Sequence, residues 1–416
     1  MKSSIRGFYE LPHGKRLQFL KKFAKLSNEE VRLLGHNSAL GIRTAEMISE
    51  NVVGTTQLPI GIATNFLVNG KDYLVPMAIE EPSVVAAASH AAKLARHAGG
   101  FTASSDEPVM IGQVQLVRVP DAQAAAKLVA EKRGEIMDIA NRQDSVMVRL
   151  GGGIRDIGAR VLKTKRGDMM VVQLLVDVRD AMGANAVNTM CEAVSPYLEE
   201  LTGGTVRLRI ISNLATRRLA RARAVWSKDI LGADVIDGIL DAYAFAEADQ
   251  YRCTTHNKGI MNGIDAVAIA TGNDFRALEA GAHSYASIGG YHSLTNYETN
   301  DKGDLIGSIE LPIASGIIGG TIRTHPIAKL SLKILGVQTA QELAQVMATV
   351  GLAQNFAALR ALASEGIQKG HMSLHAKNIA VLAGASGKQI EKIAKRMASE
   401  KNVSVSRAKE LLGKRR

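Results

Sequence analysis

Apolar positions follow two different periods along this chain, and the change from one to the other divides it. Lys15 to Leu26 and Ile42 to Glu50 carry apolar residues three and four apart, predicting amphipathic helices in a mainly helical stretch that runs to about residue 106. Inside that stretch, Asn65-Phe66-Leu67-Val68-Asn69-Gly70 reads as a strand and turn, and the apolar run from Tyr73 to Ile79 as a second strand. Glu80-Glu81-Pro82-Ser83 follows, with Pro82 expected at the first position of an alanine-rich helix that ends at Gly99-Gly100.

Between about 107 and 216 the pattern shortens to strands. Val109 to Val119, Ile154 to Leu162, Met169 to Val178 and Val206 to Ile211 read as strands, with helices over Ala122 to Asn141 and Ala184 to Leu201. The order βαββαβ is the ferredoxin-like arrangement, here inserted into a discontinuous helix-rich domain that resumes after Arg217. No G-x-G-x-x-G opens the first strand-to-helix turn, so the insert is not expected to be a Rossmann sheet. The fold class is thus α+β: a large domain over 1–106 and 217–365, the insert over 107–216, and a small helical C-terminal lobe over 366–416.

Composition narrows the classes of function. Of 416 residues, 46% are hydrophobic and 22% charged, as in a folded protein, but aromatics reach only 4%, too few for base-stacking platforms. No aromatic run of the RNA-recognition type lies on the predicted strands, which argues against nucleic acid as a partner. The two cysteines, Cys191 and Cys253, form no C-x-x-C pair and suggest neither a disulfide framework nor a zinc site. Leu311 to Ile322 is read as the longest strongly apolar stretch free of charge, too short to cross a membrane, so a cytoplasmic protein is expected. The net charge is +11, and the last fifty residues hold twelve Lys or Arg against three Glu. Such a lobe suits a polyanionic ligand, a nucleic acid or simply a solvated face.

Several motifs carry candidate chemistry, each with a plainer alternative. Glu80 and Glu81 form a carboxylate pair that could cap a helix or move protons. Residues 251–263 gather Arg252, His256, Lys258, Asn257 and Asn262, followed by an apparently strand-like run from Ile264 to Ala270 and then by Thr271-Gly272-Asn273-Asp274. Asp274 alone reads as an N-cap. Asp180-Ala181-Met182-Gly183-Ala184-Asn185 turns a strand into a helix, where backbone N–H groups and the helix dipole can receive a pyrophosphate. Arg217, Arg218, Arg221 and Arg223 read as a solvated strand or a phosphate contact. His371-Met372-Ser373-Leu374-His375 places two imidazoles one helical turn apart, but the glutamate of H-E-x-x-H is missing, and no metal is expected.

Taken in order and spacing, Glu50-Asn51-Val52-Val53-Gly54, the run from Leu74 to Ser83, Asp180 to Asn185, Thr255 to Asp274 and Gly370-His371-Met372 closely resemble the signatures of hydroxymethylglutaryl-coenzyme A (HMG-CoA) reductase, class II branch. The resemblance covers about residues 40 to 380. It implies two successive hydride transfers between a nicotinamide cofactor and HMG-CoA, through mevaldyl-CoA and mevaldehyde, giving mevalonate and coenzyme A. It implies Lys258 as oxyanion stabiliser, Asp274 as the carboxylate that orients it, Glu81 as proton donor, and His371, on a closing C-terminal flap, as the acid for the coenzyme A thiolate. Ser83, Arg252 and Asn262 correspond to substrate contacts. Asp180, Met182, Gly183, Asn185 and Asn213 correspond to the dinucleotide site. Asp144 matches the position that meets the adenosine ribose, where a carboxylate accepts from a 2′-hydroxyl and repels a 2′-phosphate, favouring NAD(H) over NADP(H). A homodimer, or an assembly of dimers with shared active sites, is also implied.

Overall fold

The computed structural model describes residues 2–5, 7–35, 40–364, 376–400 and 402–413. The N-terminal part supplies α1 (His13–Phe23), α2 (Asn28–Gly35) and α3 (Ile42–Glu46), then β1 (Ile60–Val68), β2 (Lys71–Ala78), α4 (Val84–Ala95) and β3 (Phe101–Ser105). The insert runs β4 (Val109–Val117), α5 (Ala122–Glu131), α6 (Arg133–Asn141), α7 (Ser145–Arg149), β5 (Gly153–Thr164), β6 (Gly167–Asp177), α8 (Ala184–Thr202) and β7 (Thr205–Ser212). The chain returns as β8 (Leu219–Trp226), α9 (Lys228–Leu231), α10 (Ala233–Ala248), α11 (Gln250–Ala270), α12 (Phe275–Ala286), β9 (Thr295–Thr299), β10 (Leu305–Pro312), α13 (Pro326–Leu335) and α14 (Ala340–Ala363).

These strands form two separate sheets. The first has the order β2-β1-β3-β8-β10-β9, so strands from before and after the insert share one sheet; the second, β5-β6-β4-β7, is antiparallel throughout. In the second sheet β4 lies between β6 and β7, which gives the split pairing of a βαββαβ unit. Residues 376–413 keep their own apolar cluster, centred on Ile393 and Met397.

Alanine lets the large body close around α14. Ala88, Ala91, Ala92 and Ala95 form the buried face of α4, and Trp226 stacks on Phe356 of α14 at 3.9 Å while its Nε1 donates to Ala91 O. Glycines face across the α11–α14 contact. A Cβ at Gly263 would meet Val350 O at 3.1 Å, and one at Gly351 would meet Ile264 at 2.8 Å. Two helices can approach this closely only where both surfaces lack side chains.

Several expected elements differ. Ile264 to Ala270 is the end of α11, not a strand: the helix is buried nearly all round, so its apolar run loses the period that would mark it. Pro82 lies in a turn and α4 begins at Val84. The helix expected over 122–141 breaks at Lys132, and the one expected over 42–50 ends at Glu46. Arg218 is not solvated; it is 4% exposed and contacts only carbonyls. Among the described residues, α14 is the one helix long and apolar enough to cross a membrane, a stretch the sequence reading passed over for 311–322. Of its most apolar window 67% is buried in the protein.

Candidate active site

The site begins with a helix that is mostly buried but carries charge along one edge. Asp249 caps α11 by accepting from Arg252 N at 2.7 Å, which fixes where the helix starts. Lys258 and Asn262, one turn apart, then reach the same neighbour. Lys258 Nζ donates to Glu81 Oε2 at 3.1 Å, and Asn262 Nδ2 to the same oxygen at 3.3 Å. Glu81 is delivered by the buried strand β2 and the turn that precedes α4. Beyond it, Ser83 holds φ at 74°, a left-handed conformation unusual for a residue with a Cβ and frequent at functional sites. The Glu81 and Lys258 side chains are 40% and 58% exposed, so the pair faces open space.

Arg252 lies on α11 about a turn and a half before Lys258, half-buried, and burial lowers its pKa from the ordinary arginine value. Two groups nearby are inert. Burial pushes the Cys253 thiol up to about 11 and the His256 imidazole down to about 3. His256 instead holds the interior together through Ser293, Thr295 and Asn355.

Asp274 is not beside Lys258 in this chain. It caps α12, accepting from Arg276 N and Ala277 N, and pairs with the Arg276 guanidinium at 3.0 Å. Burial pushes its carboxyl up, but the hydrogen bonds and charge of Arg276 together with the Ala277 N–H hold it below the usual carboxylate range. The physical reason is length: Lys258 precedes the end of α11 by twelve residues, about 18 Å of helix rise.

The turn before α8 is closely packed. Gly183 caps the helix at φ 102°, and a Cβ there would lie 2.5 Å from Val178, so this position requires glycine. Met182 is half-buried, while Asn185 in the first turn of α8 and Asn213 after β7 are exposed. Asp180 ties the turn to the large body: its Oδ1 accepts from Ala340 N at 2.8 Å and its carbonyl from Ile317 N. Arg218 strengthens that tie through Ala181 O, Met182 O and Ser315 O. Asn273, next to Asp274, accepts from Gly316 N at 2.7 Å, and Gly316 packs against the α8 turn, where a Cβ would lie 2.6 Å from Met182 N. Asp144 caps α7 by accepting from Met147 N at 2.9 Å. His371 lies outside the described residues, as does the rest of the His371–His375 motif.

An ammonium and an amide converging on one carboxylate that faces open space form an arrangement suited to stabilising and protonating a carbonyl oxygen, as an oxidoreductase that reduces a carbonyl requires. The comparisons with known proteins agree. The family model of hydroxymethylglutaryl-coenzyme A reductase matches residues 13–376. The 3-hydroxy-3-methylglutaryl-coenzyme A reductase of Archaeoglobus fulgidus is 58% identical over 413 residues, 99% of this chain and 94% of that protein. A probable enzyme of the same name from Borreliella burgdorferi is 36% identical over 90% of this chain and 88% of its own length. Among solved structures, the Streptococcus pneumoniae reductase superposes with a TM-score of 0.84 at 43% identity, covering 99% of both chains. The class II Streptococcus pneumoniae enzyme bound to NADPH in open conformations gives 0.82 at 44%, covering 97% of this chain and 99% of that one. The chain belongs to the HMG-CoA reductase family and groups with its class II members.

The sequence reading missed the polar groups behind the site. Asp265 of α11 and Glu279 of α12 are hydrogen-bonded carboxyls, and Glu279 Oε2 is 2.6 Å from His283 Nε2. The signal was available: Lys258, Asn262 and Asp265 recur at i, i+4 and i+7 on one helix face.

Proposed function

We propose that this reductase prefers NAD(H) to NADP(H) and works as a homodimer, or an assembly of dimers, in the cytoplasm, with each active site built from two subunits. The convergence of Lys258 and Asn262 on Glu81 carries the reading. Lys258 stabilises the oxyanion that develops on the thioester carbonyl and again on the aldehyde. Glu81 delivers the proton that turns the second oxyanion into the alcohol and is left as a carboxylate held by Lys258 and Asn262. His371 protonates the thiolate as the C–S bond of the hemithioacetal breaks, and the flap over 366–416 carries it to the site. Arg252 pairs with the free carboxylate of the HMG group, aided by Ser83.

The nicotinamide cofactor supplies hydride when bound. Met182, Gly183, Asn185 and Asn213 hold it at the start of α8, and Asp144 meets its ribose. The close-packed Gly183 supports this placement, since its missing side chain lets backbone N–H groups face an anion. In one chain Asp274 follows the end of α11, which lies about 18 Å of rise from Lys258, and its neighbour Asn273 bonds Gly316 beside that turn. A second subunit would bring its Asp274 and cofactor to the Glu81–Lys258 pair. The exposed apolar side chains of Met47, at 71%, just before the Glu50–Gly54 motif, and of Val53, at 101%, within it support such an interface. The test is loss of absorbance at the reduced-nicotinamide band with HMG-CoA. Wild-type protein consumes NADH with a higher kcat/KM than NADPH, and Lys258→Ala consumes neither. An active Lys258→Ala protein, or a preference for NADPH, contradicts the corresponding part of the reading.

A further inference from the structure

Asp144 and the α8 turn, the two grips on the dinucleotide, sit on different segments of the insert, and one side chain joins them. Asp144 caps α7, a helix of five residues, and the glycine loop that follows is bonded back onto it: Gly151 N donates to Val148 O and Gly152 N to Met147 O, at 2.9 Å each. Helix and loop therefore move as one piece. Arg179 belongs to the other segment, between Val178, which packs under Gly183, and Asp180, which is bonded to Ala340. Its Nη2 reaches the loop, donating to Gly151 O and, at 2.8 Å, pairing with Asp177 Oδ2.

The loop is shaped to receive that side chain. A Cβ at Gly152 would lie 3.1 Å from Arg179 Cγ and 2.8 Å from Asp177 O, so the arginine lies where a larger residue would stand. Asp177 is fully buried, accepts from Arg179 N at 3.0 Å, and also pairs with Arg155 of β5 at 2.6 Å, whose Nη2 donates in turn to Gly151 O at 2.7 Å. A buried carboxylate held by two guanidinium groups fixes the direction of both. Arg179 bears two costs: its φ is 52°, and its Nε is buried without a hydrogen-bond partner among the described residues. Backbone strain that the surroundings hold in place is frequent where position serves function.

We propose that Arg179 is a positioning residue for the dinucleotide: it sets the spacing between Asp144 and the α8 turn, and thereby lets the Asp144 carboxylate discriminate at the ribose. The inference rests on the function proposed above. Arg179 touches the loop and not the cofactor in this scheme. With its link cut, α7 shifts relative to the turn, and Asp144 neither meets a 2′-hydroxyl squarely nor repels a 2′-phosphate. The grip of the α8 turn on the pyrophosphate remains. Binding of NADH therefore weakens while that of NADPH does not. A direct contact of Arg179 with phosphate, or a general loosening of the insert, would weaken both alike.

Arg179→Met in the full-length protein tests this, since Arg155 still neutralises Asp177 and the fold is kept. The ratio of kcat/KM for NADH to that for NADPH should fall about tenfold, through the KM of NADH, with the KM of HMG-CoA unchanged. Arg179→Lys should restore most of the ratio, because one ammonium can make both bonds that Nη2 makes. Hydrogen exchange without cofactor gives a readout independent of activity: amides of residues 145–153 should exchange about tenfold faster in Arg179→Met, while those of β4 keep their rates. Equal losses with NADH and NADPH, no rescue by lysine, or unchanged exchange in that loop overturns the proposal. If Asp144→Ser leaves the cofactor ratio unmoved, the reading of Asp144 fails, and the exchange rates still decide whether Arg179 holds the loop.

Discussion

Mixing two inactive variants tests the division of the site between subunits. Lys258 and Asp274 are separated within one chain by twelve residues of α11, about 18 Å of rise, more than the two side chains can bridge. Lys258→Ala removes the ammonium, Asp274→Ala the carboxylate, and each homodimer should be inactive. If the residues meet across the interface, a hybrid dimer has one site with both residues intact and one with neither. Random exchange makes about half the dimers hybrids, each with one of two sites working, so equal mixtures recover about one quarter of wild-type activity. Steady-state rates after co-expression or co-refolding read this directly. The control pairs Lys258→Ala with Glu81→Ala. Those residues are 3.1 Å apart in one chain, so every hybrid site lacks one of them and no activity returns. Failure of the Lys258/Asp274 mixture to exceed its parents would show that both residues act from one chain, and the shared-site reasoning would be wrong.

Other outcomes follow from single residues. Because Asp144 is also the N-cap of α7, Asp144→Ser should narrow the preference for NADH over NADPH while keeping the cap, whereas Asp144→Ala should additionally cost about 1 kcal/mol in denaturant unfolding. Arg218→Met leaves the carbonyls of Ala181, Met182 and Ser315 without their donor. It should cost about 3 kcal/mol and raise the KM of the dinucleotide more than that of HMG-CoA; equal changes in both constants would remove Arg218 from the alignment of the α8 turn. His256, lowered to about 3 by burial, binds no proton in the fold over a range where the unfolded chain does. Its contribution is present above the unfolded value of about 6.5 and is lost at about 1.4 kcal/mol per pH unit as pH falls towards 3. His256→Gln should flatten that part of the stability profile, measured by chemical denaturation at each pH.

The insert was the most legible part of the chain because its strands face a core on one side only. Val114 and Leu116 of β4 and Val172, Leu174 and Val176 of β6 keep a buried period of two, and β4 to β7 lie within a few residues of their expected places. The large sheet was far harder to read. In β8 the buried positions are Ala220, Ala222, Ala224 and Trp226, and the intervening Arg221 is paired with Asp106 and Glu310. Small buried residues between arginines look like a basic stretch, although the period is two. For the site, the motifs gave the residue types but not their distances. The N-cap role of Asp274 was legible in the sequence, whereas only packing reveals that Asp180 accepts from the backbone N–H of Ala340, far along the chain. Nothing in the spacing of the Arg217–Arg223 cluster separates buried Arg218 from its exposed neighbours.

The split of the large sheet ties the folding of one body to that of the other. Ser105 of β3 is paired directly with Ala220 of β8, so everything between them leaves and re-enters the sheet at adjacent positions. A flexible loop of that length would cost about 4 kcal/mol of chain entropy to close. A prefolded insert, whose ends already lie side by side, removes most of that cost before β3 and β8 meet. During synthesis the insert is complete before β8 emerges, and it then acts as the clasp on which the larger sheet assembles. Loss of packing around Leu174 or Met190 in the insert would therefore slow the formation of a sheet to which neither residue belongs.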